Sequence, residues 1–312
     1  MASLDGRVRL LKFFARTSIA DMDIADIARA QGPLKRNRLV DQLLGSQAAG
    51  VEVYDSFADG AELPLRLRIY RPAKRASEPL PMIVNFHGGG FVVGSLEQCD
   101  WLCSNVAAAL PAVVLSIGYR TAPAHRRPAA AEDCYAAFSN IASRASEFGG
   151  NPGRLTVLGD SAGGNLAAVV ALMARDRSGP QIANQVLIYP ITDMTLTSPS
   201  VEENAHAPVL SKRDIVACCE HYLGGQDPHH PYASPLLAPD LRGLPPALIQ
   251  IAEHDPVRDD GLRYGHALRA AGVPVRTTNY VGMPHGFLAF PTLCRSAPQA
   301  LAEVCATLAE TW

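Results

Sequence analysis

Long apolar runs are missing from this 312-residue chain, and that absence excludes the first class of proteins. The longest run, from Val106 to Ile117, falls well short of the roughly 20 residues a bilayer-spanning helix needs. A secretory leader is not expected either. Asp5, Arg7, Arg9 and Lys12 leave only Leu10-Leu11 and Phe13-Phe14 between them, so no apolar core of a signal peptide forms and a cytoplasmic location is expected. Charge of one sign is also lacking: 28 Lys+Arg face 30 Asp+Glu, a net charge of −2, which disfavours nucleic-acid or anionic-membrane partners. Seven cysteines, an odd number in a chain long enough to bury its own core, read as reduced thiols rather than a disulfide framework. There is no H-E-x-x-H, no paired C-x-x-C and no strand-borne G-x-G-x-x-G, so neither a metal nor an organic cofactor is expected. Cys99 and Cys103, four apart on a helical stretch, and the adjacent Cys218-Cys219 read as core thiols. Asp227-Pro228-His229-His230-Pro231 reads as a polar surface turn rather than a metal site. What remains, 48% hydrophobic and 19% charged with no low-complexity repeat, is the composition of a soluble globular protein.

Residues 1–48 lack strand signals, while Leu10, Leu11 and Phe14, then Ile24, Ile27 and Ala28, recur at helical spacing. From Val51 the pattern turns to β-rich runs: VEVYDSF, LPLRLRIY, PMIVNF ending at Phe86, and AVVLSIGY ending at Tyr119. Strand-like and helix-like runs then alternate. RLTVLG (154–159), QVLIYP (185–190), ALIQIA (247–252) and VPVRTTNY (273–280) are strands; residues 162–175, 257–271 and the C-terminal stretch are helices. Eight strands in this order predict an α/β fold with a mostly parallel central sheet flanked by helices. One stretch breaks the rhythm. Between Tyr189 and Leu244 lie Pro208, Pro228, Pro231, Pro235 and Pro239 around one helical segment (211–223), too long for an ordinary connection. The expected organisation is a helical cap from residues 1–48 and 195–235 over a core built from residues 49–194 and 236–312.

Four constellations carry chemistry. Gly159-Asp160-Ser161-Ala162-Gly163 is a G-x-S-x-G string expected by chance about 0.1 times in such a chain, so its weight comes from context. It follows the strand RLTVLG and opens the helix AGGNLAAVVALMARDR, the setting a nucleophile elbow requires, with Ser161 facing a helix N-terminus that favours an oxyanion. His87-Gly88-Gly89-Gly90 after PMIVNF is sharper, at about 0.005 chance matches. Gly88, Gly89 and Gly90 put no side chain between their amides and a developing alkoxide, while His87 reads as a buried structural hydrogen-bonder. Asp255 and His285 follow the strands ALIQIA and VPVRTTNY, at the strand ends where open α/β sheets place their sites. The competing acids are Asp193, Glu253, Asp259 and Asp260; the competing histidines are His206, His221, His229, His230, His254 and His266.

These residues, with HGGGFVVGS, YRTAPAHRRPAAAEDCYAA, GDSAGG, YPITD, ENAHAPVLS, SPLLAPDLRGLPPALIQIAEHDPVRDDG and GMPHGF in that order, resemble the hormone-sensitive-lipase-like branch of the α/β-hydrolases, the bacterial esterase family IV, over about residues 80–290. The resemblance implies an α/β-hydrolase fold and a serine carboxylesterase. Ser161 matches the nucleophile, Asp255 the triad acid and His285 the base; Gly88, Gly89, Gly90 and Ala162 match the oxyanion-hole region, chiefly through Gly89, Gly90 and Ala162. It implies a mixed cap, no cofactor, a small-molecule ester of short to medium acyl chain as substrate, and a homodimer by family analogy. The chain departs from the family at Thr121 and Ala124, where YRLAPE is usual, and at Phe91, where Trp is common. The same triad serves amides, lactones and carbamates. A non-catalytic receptor on this fold is the alternative from another class, and the presence of Ser161, Asp255 and His285 together argues against it. Val209, Leu210, Ile215 and Val216 read as packing of the cap helix before they read as pocket lining.

Overall fold

The computed structural model describes residues 18–312 apart from Arg75, together with Leu4, Gly6 and Val8. Eight strands form one sheet: β1 (Val51–Asp59), β2 (Pro64–Pro72), β3 (Leu80–Phe86), β4 (Val113–Gly118), β5 (Gly150–Asp160), β6 (Asn184–Ile188), β7 (Ala247–His254) and β8 (Val275–Pro284). Their spatial order is β1-β2-β4-β3-β5-β6-β7-β8. Only the pairs β1–β2 and β2–β4 are antiparallel; the rest run parallel. All seven residues of β3 are buried, as a central strand covered on both faces demands. Alternate residues face opposite sides of the pleat. Met82, Val84, Leu115, Val157, Leu187 and Ile249 therefore enter one core, and Ile83, Val114, Leu158, Val186 and Leu248 the other.

The helices are α1 (Ile24–Ala30), α2 (Arg38–Leu44), α3 (Asp100–Ala109), α4 (Ala129–Ser143), α5 (Ala162–Asp176), α6 (Pro199–Glu203), α7 (Lys212–Leu223), α8 (Arg258–Ala270) and α9 (Ala297–Ala309). The apolar run Val106–Ile117 is divided between the end of α3 and the start of β4. Sequence reading leaves α4 unassigned. Its buried stripe includes Ala130, Ala131, Cys134, Ala137, Phe138 and Ile141 and packs against α5. Helix α5 is buried at every position from Ala162 to Ala174, clasped between the sheet and α4. Among the described residues no helix is long and apolar enough to cross a membrane.

Two segments lie over the C-terminal strand ends. In the insertion between β6 and β7, Ser211 and Asp214 form a capping box that starts α7, and Gly224 ends it in the left-handed conformation. Ile215, Cys218, Cys219, Tyr222 and Leu223 make its buried stripe. The N-terminal segment is tied to the core by Gln31 Nε2, which donates to the carbonyls of Val92 (2.8 Å) and Ala122 (2.9 Å). The two segments meet through an Arg213–Asp21 ion pair at 2.5 Å and a hydrogen bond from the Ser18 hydroxyl to Asp214. The expected helix around Leu10, Leu11 and Phe14 lies outside the described residues.

Candidate active site

Ser161 sits between β5 and α5 with φ 56° and ψ −118°, a conformation that costs a non-glycine residue on the order of 1–3 kcal/mol. The surroundings enforce it. The Ser161 amide donates to the Ile188 carbonyl (2.8 Å), and the Ser161 carbonyl accepts from Asn165 (3.0 Å). A Cβ at Gly159 would run into the Gly163 carbonyl, and one at Gly163 into the Phe86 carbonyl. The two glycines of the string are therefore demanded by close backbone approach, which lets the turn lift the hydroxyl clear of the sheet.

Above that turn three side chains form one hydrogen-bonded chain. Ser161 Oγ lies 2.8 Å from His285 Nε2, and His285 Nδ1 lies 2.7 Å from Asp255 Oδ2. The other Asp255 oxygen accepts the Val257 amide at 2.9 Å, and both Asp255 and His285 are buried. The Tyr189 ring, 4.8 Å away by centroids, packs against the imidazole. The competing acids are engaged elsewhere: Asp193 with Arg263 (2.9 Å), Asp259 with the Ser200 amide (3.0 Å), and Glu253 with the Gly282 amide (2.8 Å). Asp260 accepts from the amides of Thr192 and Asp193 (both 3.0 Å) and from the Ser198 hydroxyl (2.9 Å), and burial pushes its carboxyl up to about 7. His206, His229, His230 and His266 are exposed, and none of the competing histidines contacts Ser161 among the described residues. The DPHHP segment is a turn in which Asp227 accepts from the His229 amide at 2.9 Å.

The glycine loop behaves differently from a simple reading of its sequence. Gly88, grouped with Gly89 and Gly90 as an oxyanion donor, already gives its amide to Asp160 Oδ1 at 2.9 Å, so that assignment is corrected. The amides of Gly89, Gly90 and Ala162 have no acceptor among the described residues. Gly89 (φ 124°) and Gly90 (φ 62°) take conformations that L side chains resist, and a Cβ at Gly89 would overlap the Val93 carbonyl. His87 is buried, stacked on Tyr119 with centroids 4.3 Å apart, and burial lowers its imidazole to about 4. Its Nδ1 lies 2.8 Å from the Gly88 carbonyl, consistent with a structural part.

A cavity of about 310 Å³ opens on Ser161 and His285. Val209, Leu210 and Ile215 line it, where sequence reading favoured packing of the cap helix; Val216 does not. Ile19, Leu34 and Leu44 from the N-terminal segment and Phe290 after β8 complete an apolar wall that no local motif announced. Phe91 stacks on Tyr222 at 4.0 Å, joining the glycine loop to α7, whereas Ala124 is exposed. Among the described residues no disulfide joins any of the seven cysteines, and six of them are buried; Cys218 and Cys219 border the cavity, and burial pushes the Cys219 thiol up to about 12.

A family profile described as the alpha/beta hydrolase fold matches residues 83–289. The chain is 43% identical over 253 residues to esterase LipI of Mycobacterium tuberculosis, covering 80% of this chain and 79% of that protein. It is 36% identical to an ethyl acetate hydrolase of Pseudomonas putida, covering 79% and 78%. Its fold superposes on a hyperthermophilic esterase from the archaeon Pyrobaculum calidifontis with a TM-score of 0.88, at 37% identity and 98% coverage of both chains. With this match spanning sheet, elbow and glycine loop, the chain belongs to the α/β-hydrolase family, in its hormone-sensitive-lipase-like branch.

Proposed function

We propose that this protein, a carboxylic ester hydrolase, is a serine carboxylesterase that cleaves short- to medium-chain acyl esters through a covalent acyl-enzyme. The observation that carries the reading is the Ser161–His285–Asp255 hydrogen-bonded chain opening into an apolar cavity. His285 Nε2 takes the proton from Ser161 as Oγ bonds to the acyl carbon, with Asp255 holding the ring in the needed tautomer. The carbonyl oxygen becomes an alkoxide beside the amides of Gly89, Gly90 and Ala162; each such donor supplies roughly 2.7–4 kcal/mol in measured cases. Collapse expels the alcohol, which leaves with the proton from Nε2. Water then gives its proton to Nε2 as it attacks the acyl carbon, and the acid departs as Ser161 regains its hydrogen.

The cavity volume supports the chain-length preference. About 310 Å³ lies at the small end of the roughly 300–1,000 Å³ range of small-molecule pockets, so a long acyl chain would protrude. The N-terminal segment and the 195–235 insertion would act together as a cap that sets this volume. The test is hydrolysis of p-nitrophenyl esters from acetate to palmitate beside the Ser161→Ala variant. Serine-dependent turnover with a maximum at short chains is expected. Full turnover by Ser161→Ala, or none by the folded wild type at any length, would overturn the reading.

A further inference from the structure

The glycine loop and the nucleophile elbow belong to different strands, and something must fix the distance between them. Strands β3 and β5 pair as far as Phe86 and Gly159, after which the ladder ends. The first link beyond that point is the hydrogen bond from the Gly88 amide to Asp160 Oδ1, across 72 residues of sequence. Asp160 is the residue before Ser161, so one carboxylate joins the turn bearing the hydroxyl to the loop bearing Gly89 and Gly90.

We propose that Asp160 is a positioning residue for ester hydrolysis: by locking Gly88 it sets the separation between Ser161 Oγ and the amides of Gly89 and Gly90. This inference rests on Ser161 being the nucleophile. Gly88 is held on its other side as well, since its carbonyl accepts from Gln98 Nε2 at 3.0 Å and lies 2.8 Å from His87 Nδ1. With both backbone groups of that residue fixed, the next two amides hang from a rigid point. A Cβ at Gly88 would collide with the Asp160 carboxylate, which explains why the first glycine of the loop is a glycine although its amide faces no alkoxide.

The carboxylate has a second bearing on the reaction. It borders the cavity and faces His285, the cationic partner once the imidazole takes up the serine proton. Tyr119, Tyr189 and Cys103 also face it, and burial raises all three above their usual ranges, so they stay neutral. Desolvation lifts Asp160 itself to about 6, against the pull of the Gly88 amide and His285. Above that pH it is ionised, and its hydrogen bond to Gly88 is charge-assisted.

The experiment compares kcat and KM of wild type, Asp160→Ala, Asp160→Asn and Ser161→Ala on p-nitrophenyl butyrate between about pH 5 and 8, with melting temperatures and Ki for a short alkyl trifluoromethyl ketone, which binds as a tetrahedral adduct. Asp160→Ala is expected to lose about 100-fold in kcat with KM within about threefold, as misplacement by roughly an ångström does, and its Ki should weaken in step. Asp160→Asn should recover about tenfold of that loss, because it keeps an acceptor without the charge. The wild-type-to-Asn ratio should shrink below about pH 6, where the wild type itself carries the proton. Asp160→Ala within about threefold of wild-type kcat, or a ratio flat with pH together with losses that merely follow melting temperature, would overturn the inference. Absence of Ser161-dependent turnover in the wild type would instead overturn the esterase reading beneath it.

Discussion

The floor and the roof of the cavity are built by opposite means. Under the substrate space, backbone does the work: positive φ at Ser161, Gly89 and Gly90, glycines pressed against carbonyls, and strand ends held by the sheet. Over it, side chains do the work. The N-terminal segment and the insertion meet through an ion pair whose members are 67% and 55% exposed, and through the Ser18 hydroxyl on Asp214. Backbone geometry tolerates almost no substitution, whereas side-chain contacts can be exchanged one at a time. In the proposed esterase the floor would therefore define the reaction and the roof what is admitted to it.

The sharpest way to break this division is at the floor. Ser161→Ala or His285→Ala should lower kcat by at least about 10⁴-fold while melting temperature stays within a few degrees, measured by ester hydrolysis and calorimetry. Next comes Gly163→Ala, whose Cβ would strike the Phe86 carbonyl; a loss of about 3 kcal/mol or more in denaturant unfolding is expected for one methyl group. Changes in the roof should leave chemistry intact. Leu210→Trp should lower the hexanoate-to-acetate rate ratio by about tenfold with acetate turnover nearly unchanged.

Asp260 tests how the roof is anchored. Its folded carboxyl keeps a proton up to about pH 7, while in the unfolded chain it ionises near 4, so between these values the folded state binds more protons. Stability should fall as pH rises through that window, and Asp260→Asn should flatten the slope in urea titrations. Smallest of all, Arg213→Ala should cost less than about 1 kcal/mol, since an exposed pair is screened by solvent. A larger loss would mean the roof is more rigidly tied than its contacts imply.

The same contrast governs how much could be read in advance. Strand ends, elbow and the order Ser161, Asp255, His285 are local signals, because each of these three residues follows directly on a strand with a recognisable pattern. The role of Gly88 was not, because its partner lies 72 residues away and the Gly-rich string looks uniform along the chain. Nor were Ile19, Leu34 and Leu44 as cavity wall, or the turn of Val209, Leu210 and Ile215 toward the substrate space. An apolar residue carries the same periodicity whether it meets another side chain or a cavity; only tertiary placement separates the two.

The burial of α5 along Ala162–Ala174 carries a consequence for how the molecule wears out. The amides of that helix should be among the last to exchange with deuterated solvent, and those of residues 18–48 and of the insertion among the first. On warming, the roof would then open while Ser161 still stands on an intact floor. Inactivation at that stage would be reversible on cooling, because the part that is hardest to rebuild would never have come apart.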